Sequence, residues 1–119
     1  MSQDVIRALQ DKVRLFCEDR DWDQFHGPKD LAIGVVTEAS ELLELFRFLN
    51  EEDSFALVSD PHRRGAVEDE LADVLFFMLR FAQRFDVDLV RALERKLEKN
   101  EARYPADKSR GSNQKSTKL

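Results

Sequence analysis

Apolar residues recur at helical spacing in four successive stretches of this chain, and the pattern predicts an all-α protein. Val5, Ile6, Leu9, Val13, Phe16 and Cys17 mark a first helix running to about Arg20, with Ser2 as N-cap and Asp4 in the first turn. A loop over Asp19–Asp30, broken at Gly27-Pro28, comes next. The second helix starts at Pro28 or Lys29, since proline suits a first helical position, and runs to about Asn50. Glu51–Ser59 reads as a polar connector with room for one helical turn. Asp60-Pro61 opens a third helix that reaches about Phe85, and Asp86–Asp88 opens a fourth over Leu89 to Arg103, stopped by Tyr104-Pro105. The expected architecture is a four-helix bundle whose two long central helices, joined by a short connector, pack antiparallel. Residues 1–105 form the expected domain, and 106–119 a basic polar tail.

The two central helices are apolar over more of their surface than one chain of this size can cover. Leu31, Val35, Leu42, Leu45, Phe46 and Leu49 surround most of the second helix. Phe76, Phe77 and Phe81 widen the face that Val67, Leu71, Val74, Met78 and Leu79 give the third. Such helices are buried on more than one side, which predicts a homo-oligomer.

Two acidic pairs interrupt these helices: Glu38-Ala-Ser-Glu41 in the second and Glu70-Leu-Ala-Asp73 in the third. Spacing i, i+3 sets the two carboxylates of a pair about 60° apart around the axis and one turn along it. Four carboxylates in apolar company need a positive partner. An all-oxygen set suits Mg²⁺ or Mn²⁺ better than Zn²⁺. A di-iron bundle would want Glu-x-x-His motifs, and the only histidines, His26 and His62, lie in neither pair.

Other features admit two readings each. The loop carries Trp22, Phe25 and His26: either Trp22 and Phe25 plug the gap between the first two helices, or the aromatic loop lines a pocket for a flat ligand. Lys96, Asn100 and Arg103 recur along the fourth helix, as an ordinary solvated face or as a clamp on one anion. Cys17 reads as a buried small apolar residue and, being alone, excludes an intrachain disulfide framework.

Charge narrows the partners. The whole chain stands at −5, and the stretch 104–119 at +3, so the body stands at −8. An acidic body argues against nucleic acid as a partner, but admits a small anion that arrives with a metal. No apolar run reaches the roughly 18 residues of a membrane span and no signal-peptide core opens the chain, so a cytoplasmic protein without a membrane partner is expected. Hard cations on carboxylates serve phosphate esters and anhydrides, and no Ser/His/Asp set or reactive cysteine is in sight. The residues therefore point to Mg²⁺-dependent hydrolysis of a phosphoanhydride by direct attack of water.

At these residues the chain resembles the MazG-like all-α nucleoside triphosphate pyrophosphohydrolases, and within them the dCTP pyrophosphatases. The E-x-x-E and E-x-x-D motifs are met by Glu38/Glu41 and Glu70/Asp73, and DWDQFHGPKDLA, ELLELF, DELADVLFF and KLEKNEARYPADKSRGS extend the likeness over nearly the whole chain. The resemblance implies a MazG-like bundle that splits a nucleoside triphosphate between its α- and β-phosphates. It implies Glu38, Glu41, Glu70 and Asp73 as Mg²⁺ ligands and catalytic groups, and Lys96, Asn100, Arg103 and Tyr104 at the phosphates. Trp22 and His26 fall at the base pocket, with Phe48 and Phe77 where the family usually places a Trp and a Tyr. It further implies a homodimer or a dimer of dimers. The base stays open among deoxycytidine nucleotides, modified cytosines and other pyrimidines. Rival readings are a related phosphohydrolase, acting on dUTP or phosphoribosyl-ATP, and a non-catalytic helical oligomer.

Overall fold

A computed structural model describes residues 3–118, all of whose regular elements are helical. The helices are α1 (Gln3–Asp19), α2 (Pro28–Glu44), α3 (Glu51–Ser59), α4 (Arg64–Arg84), α5 (Leu89–Arg103) and the single turn α6 (Ala106–Ser109). Short 3-10 turns lie at Asp23–Phe25 and Ser116–Lys118. The chain divides into two compact units, one ending at Asp86 and one starting at Val87. The expected cap at Ser2 lies outside the described residues.

In the first unit, α4 is the central element, packed by α2 along its length and also by α1 and α3. Ile6 and Cys17 of α1, Leu31 of α2, Leu57 of α3, and Val67, Leu79 and Ala82 of α4 form the buried core. Cys17 is fully enclosed, as its apolar neighbours in the sequence predict. α2 and α4 run antiparallel. Gly34 lies against Phe77, and one to two turns on, Glu38 and Glu41 meet Asp73 and Glu70, so numbers rise on one helix as they fall on the other. The facing stripes are Leu31, Gly34, Glu38 and Glu41 on α2, and Glu70, Asp73, Phe77 and Arg80 on α4, each at alternating spacings of three and four.

The structure corrects three boundaries. The second helix ends at Glu44, not near Asn50, because the chain tightens there into turns closed by Leu45 N–H to Leu42 O, Phe46 N–H to Leu43 O and Leu49 N–H to Phe46 O. Glu51–Ser59 is a helix in its own right: Asn50 caps it by accepting from the Asp53 N–H at 2.8 Å, and Glu51, Glu52 and Asp53 sit at the positive end of its dipole. The third long helix starts at Arg64, because Asp60 spends its carboxylate on a turn, accepting from the His62 N–H (2.8 Å) and the Arg63 Nε (2.7 Å).

The second unit holds α5, α6 and the C-terminal segment. Asp88 caps α5 by accepting from the Arg91 N–H, and Tyr104 ends it as expected. The basic tail holds structure of its own: α6 comes directly after Pro105, and Ser116 returns to the end of α5, its hydroxyl 3.4 Å from the Arg103 guanidinium.

Gly34 makes the α2–α4 approach possible. A Cβ there would come far inside van der Waals contact with the Phe77 ring. Gly34→Ala is therefore expected to destabilise the fold by about 1–3 kcal/mol despite alanine's better helix propensity. Phe77→Leu in the same chain should recover part of that loss, as read by urea unfolding.

Candidate active site

The α2–α4 approach gathers the two acidic pairs into one cluster. One ligand oxygen from each of Glu38, Glu41, Glu70 and Asp73 lies within 4.8 Å of all the others. Glu38 and Glu70 are half-buried, whereas Glu41 and Asp73 face solvent. The carboxylates oppose one another's ionisation. A hydrogen bond shared with Glu41, then burial, then the charges of Glu41, Asp73 and Glu70 push Glu38 up to about 7. Burial, then Glu41, raises Glu70 as well.

A hard cation fits these residues. One buried oxygen of Glu38 and one of Glu70 have no hydrogen-bond partner, an arrangement that protein interiors rarely leave standing. The donor set is all oxygen and strongly negative. Opposite ligands of an octahedral Mg²⁺ stand about 4 Å apart, within the span of the cluster.

A second polar network holds the loop before α2. The Arg80 guanidinium, on the α4 stripe one turn past Phe77, is only 1% exposed. Its Nε donates to His26 Nδ1 at 3.0 Å, one terminal nitrogen donates to Gln83 Oε1 at 2.7 Å, and the other to the Asp23 carboxylate. Arg84 adds bonds to the backbone carbonyls of His26 (3.3 Å) and Asp23 (3.2 Å). The Arg80 bond holds Asp23 below the ordinary carboxylate range. Burial, then the Arg80 charge, lowers His26.

Aromatic rings link this loop to the helices through a chain of edge-on contacts. His26 meets Trp22 at 6.2 Å between centroids, Trp22 meets Phe16 at 5.6 Å, Phe16 meets Phe76 at 5.8 Å, and Phe76 meets Phe77 at 5.3 Å. Three of the four rings expected at the base, Trp22, His26 and Phe77, thus belong to one aromatic array. Phe48 lies 85% exposed in the turn after α2, with the Arg47 guanidinium over its face. Phe25 is also exposed and plugs nothing.

The expected phosphate-binding residues all lie in the second unit. Lys96, Asn100 and Arg103 succeed one another along α5. Asn100 accepts the Tyr104 N–H through its backbone carbonyl at 2.7 Å. Ser116 lowers the Tyr104 pKa through a backbone hydrogen bond and then its hydroxyl, with weaker help from Arg103 and Lys96.

Reasoning from the sequence missed Gly34, Asp23, Arg80 and Arg84. Two signals were present. Gly34 is a glycine inside an otherwise strong helix, and Arg80 breaks the apolar run FFMLRFA seven residues after Asp73, on the same stripe.

The cluster has a stability consequence. Metal-free, the folded chain keeps the Glu38 proton up to about pH 7, while the unfolded chain releases it near 4.5. Stability from this group is full below the lower value and declines as pH rises through the upper one. In EDTA, the melting temperature of the parent chain relative to Glu38→Gln is therefore expected to fall between about pH 5 and about pH 8. The comparison cancels His26, which titrates in both proteins. A constant difference would mean that the carboxylates do not act on one another.

Comparison with known proteins agrees with this geometry. The MazG-like family model matches residues 33–119. The chain is 41% identical to dCTP pyrophosphatase 1 of Rattus norvegicus and 40% identical to that of Homo sapiens, each over 115 residues that span 94% of this chain and 68% of the relative. Among solved structures, a pyrophosphatase from Archaeoglobus fulgidus superposes with a TM-score of 0.78 at 37% identity, covering 83% of this chain and 91% of its own. The chain belongs to the MazG-like family.

Proposed function

We propose that this chain hydrolyses dCTP, or a dCTP with a modified cytosine, to the monophosphate and pyrophosphate, using Mg²⁺ held by Glu38, Glu41, Glu70 and Asp73. Family membership and about 40% identity to dCTP pyrophosphatase 1 make it a nucleoside triphosphate pyrophosphohydrolase. The observation that carries the metal is the pair of buried, unpartnered oxygens of Glu38 and Glu70 within the four-carboxylate cluster. When bound, Mg²⁺, for which Mn²⁺ can substitute, neutralises phosphate oxygens and makes water more acidic. The carboxylates orient the attacking water and accept its proton. Cys17 is fully buried and its thiol is pushed up by desolvation, so it offers no thiolate nucleophile, in keeping with direct attack by water.

Lys96 and Arg103 bring positive charge to the phosphates in this reading, with Asn100 and Tyr104 as neutral partners. Trp22, His26, Phe48 and Phe77 receive the base. The catalytic domain spans 1–105, ahead of the basic tail 106–119, and acts in the cytoplasm. Among the described residues no helix is long and apolar enough to cross a membrane. Ile33, Val36 and Leu43 of α2 and Leu71 and Met78 of α4 leave apolar surface in water, which supports a homodimer or dimer of dimers with a four-helix arrangement around the site. Sedimentation is expected to give twice or four times the chain mass.

The decisive assay is product analysis over canonical and 5-modified dNTPs, with Mg²⁺ and with EDTA. Pyrophosphate and monophosphate are expected from deoxycytidine substrates, and nothing in EDTA. Glu41→Gln and Asp73→Asn are each expected to lower kcat by about a hundredfold or more with the fold intact. Release of orthophosphate, or full turnover by both variants, would overturn the assignment.

A further inference from the structure

Arg80 is the most deeply buried charged side chain among the described residues, and the proposed chemistry leaves it without a task. A cation so placed adds little net stability, because its loss of hydration offsets what Asp23 returns. An apolar side chain would fill the same space. What an apolar side chain cannot do is fix the proton on His26.

A neutral imidazole has one donor and one acceptor nitrogen. The guanidinium never gives up its protons, so the bond from Arg80 Nε to His26 Nδ1 requires a bare Nδ1. The one imidazole proton then sits on Nε2. The second and third arms of the guanidinium, to Asp23 and Gln83, prevent it from turning away. Arg84 ties the carbonyls on either side of the same turn. Burial and the charges of Arg80 and Arg84 outweigh the opposing pull of Asp23 and Asp30, so His26 stays neutral near pH 7.

The geometry points to Arg80 as a positioning residue for base recognition: it locks His26 as the Nε2–H tautomer, a donor of fixed sense, and thereby favours bases that present a hydrogen-bond acceptor. Cytosine and uracil differ at N3, where cytosine accepts and uracil carries a proton; the O2 acceptor is common to both and does not separate them. This rests on the reading of Trp22 and His26 as base-pocket residues. Arg80 itself touches no substrate and acts through the imidazole.

The test begins with the unmutated full chain labelled with ¹⁵N-histidine. Only His26 and His62 contribute, and His62→Gln separates them. The expected His26 spectrum at neutral pH has a bare Nδ1 and a protonated Nε2. In Arg80→Met both tautomers should appear. The KM for dCTP should rise about tenfold and the preference for dCTP over dUTP should shrink by a similar factor, with kcat changed by about twofold at most. Arg80→Gln, which can still donate one bond to Nδ1, should recover at least part of both. A proton on Nδ1 in the unmutated chain overturns the proposal, and so does Arg80→Met with scrambled tautomers but unchanged KM and preference. If Arg80→Met does not fold, the unmutated spectrum and Arg80→Gln decide. A locked tautomer whose Nε2 resonance ignores added dCMP and Mg²⁺ also overturns the recognition role. A resonance that moves, in a chain that releases no pyrophosphate from dCTP, would sink the hydrolysis reading instead.

Discussion

Mutual repulsion among Glu38, Glu41, Glu70 and Asp73 sets the terms on which α2 and α4 can meet. Hydrophobic packing along the two helices brings one oxygen of each of four carboxylates within 4.8 Å of the others, and takes part of two of them out of water. A folded helix pair could escape by splaying apart, but the buried Leu31 and the Gly34–Phe77 contact, both before Glu38 on α2, hold the helices close. What yields instead is ionisation, with Glu38 retaining its proton far above the normal carboxyl range until a cation relieves it. The pair is thus built for a state that includes a positive charge.

The same stripe of α4 solves the opposite problem two turns further on. There the buried charge is positive, and the loop from Asp23 to His26 supplies the acceptors. Acid pair, aromatic ring and guanidinium succeed one another at 70, 73, 77 and 80 on one rigid helix. Loops are ordinarily the adaptable part of a site, positioned by a scaffold. Here the loop is fastened to the element that holds two of the carboxylates, so the acidic cluster and the Trp22–His26 turn share a frame.

The sequence disclosed the helices and the acids because both obey periodicities that need no tertiary information. The i, i+3 spacing of each acidic pair is fixed by the helix, and the antiparallel pairing of two long helices brings them level. Boundaries were harder to read. Leu45, Phe46, Phe48 and Leu49 continue the apolar pattern past Glu44, so periodicity alone extends the helix, while the capping side chain of Asn50 begins a new one. Glu51–Ser59 looked like a connector because its acids resemble a polar linker, yet those acids sit where a helix N-terminus favours them. The Arg80 network was invisible for a different reason. Its loop partners, His26 and Asp23, lie more than fifty residues away, and nothing local says that a cation within FFMLRFA turns inward rather than out to water.

Gly34 and Phe77 have one further implication, for how the protein can vary. Neither side chain is charged and neither ligates anything, yet each occupies the volume that the other would need in order to grow. A larger residue at 34 is accommodated best beside a smaller one at 77, and that replacement would remove the ring beside Phe76 from the aromatic array. The two positions are therefore expected to change together in sequence drift. The breadth of the aromatic surface can be inherited through a glycine that carries no chemistry of its own.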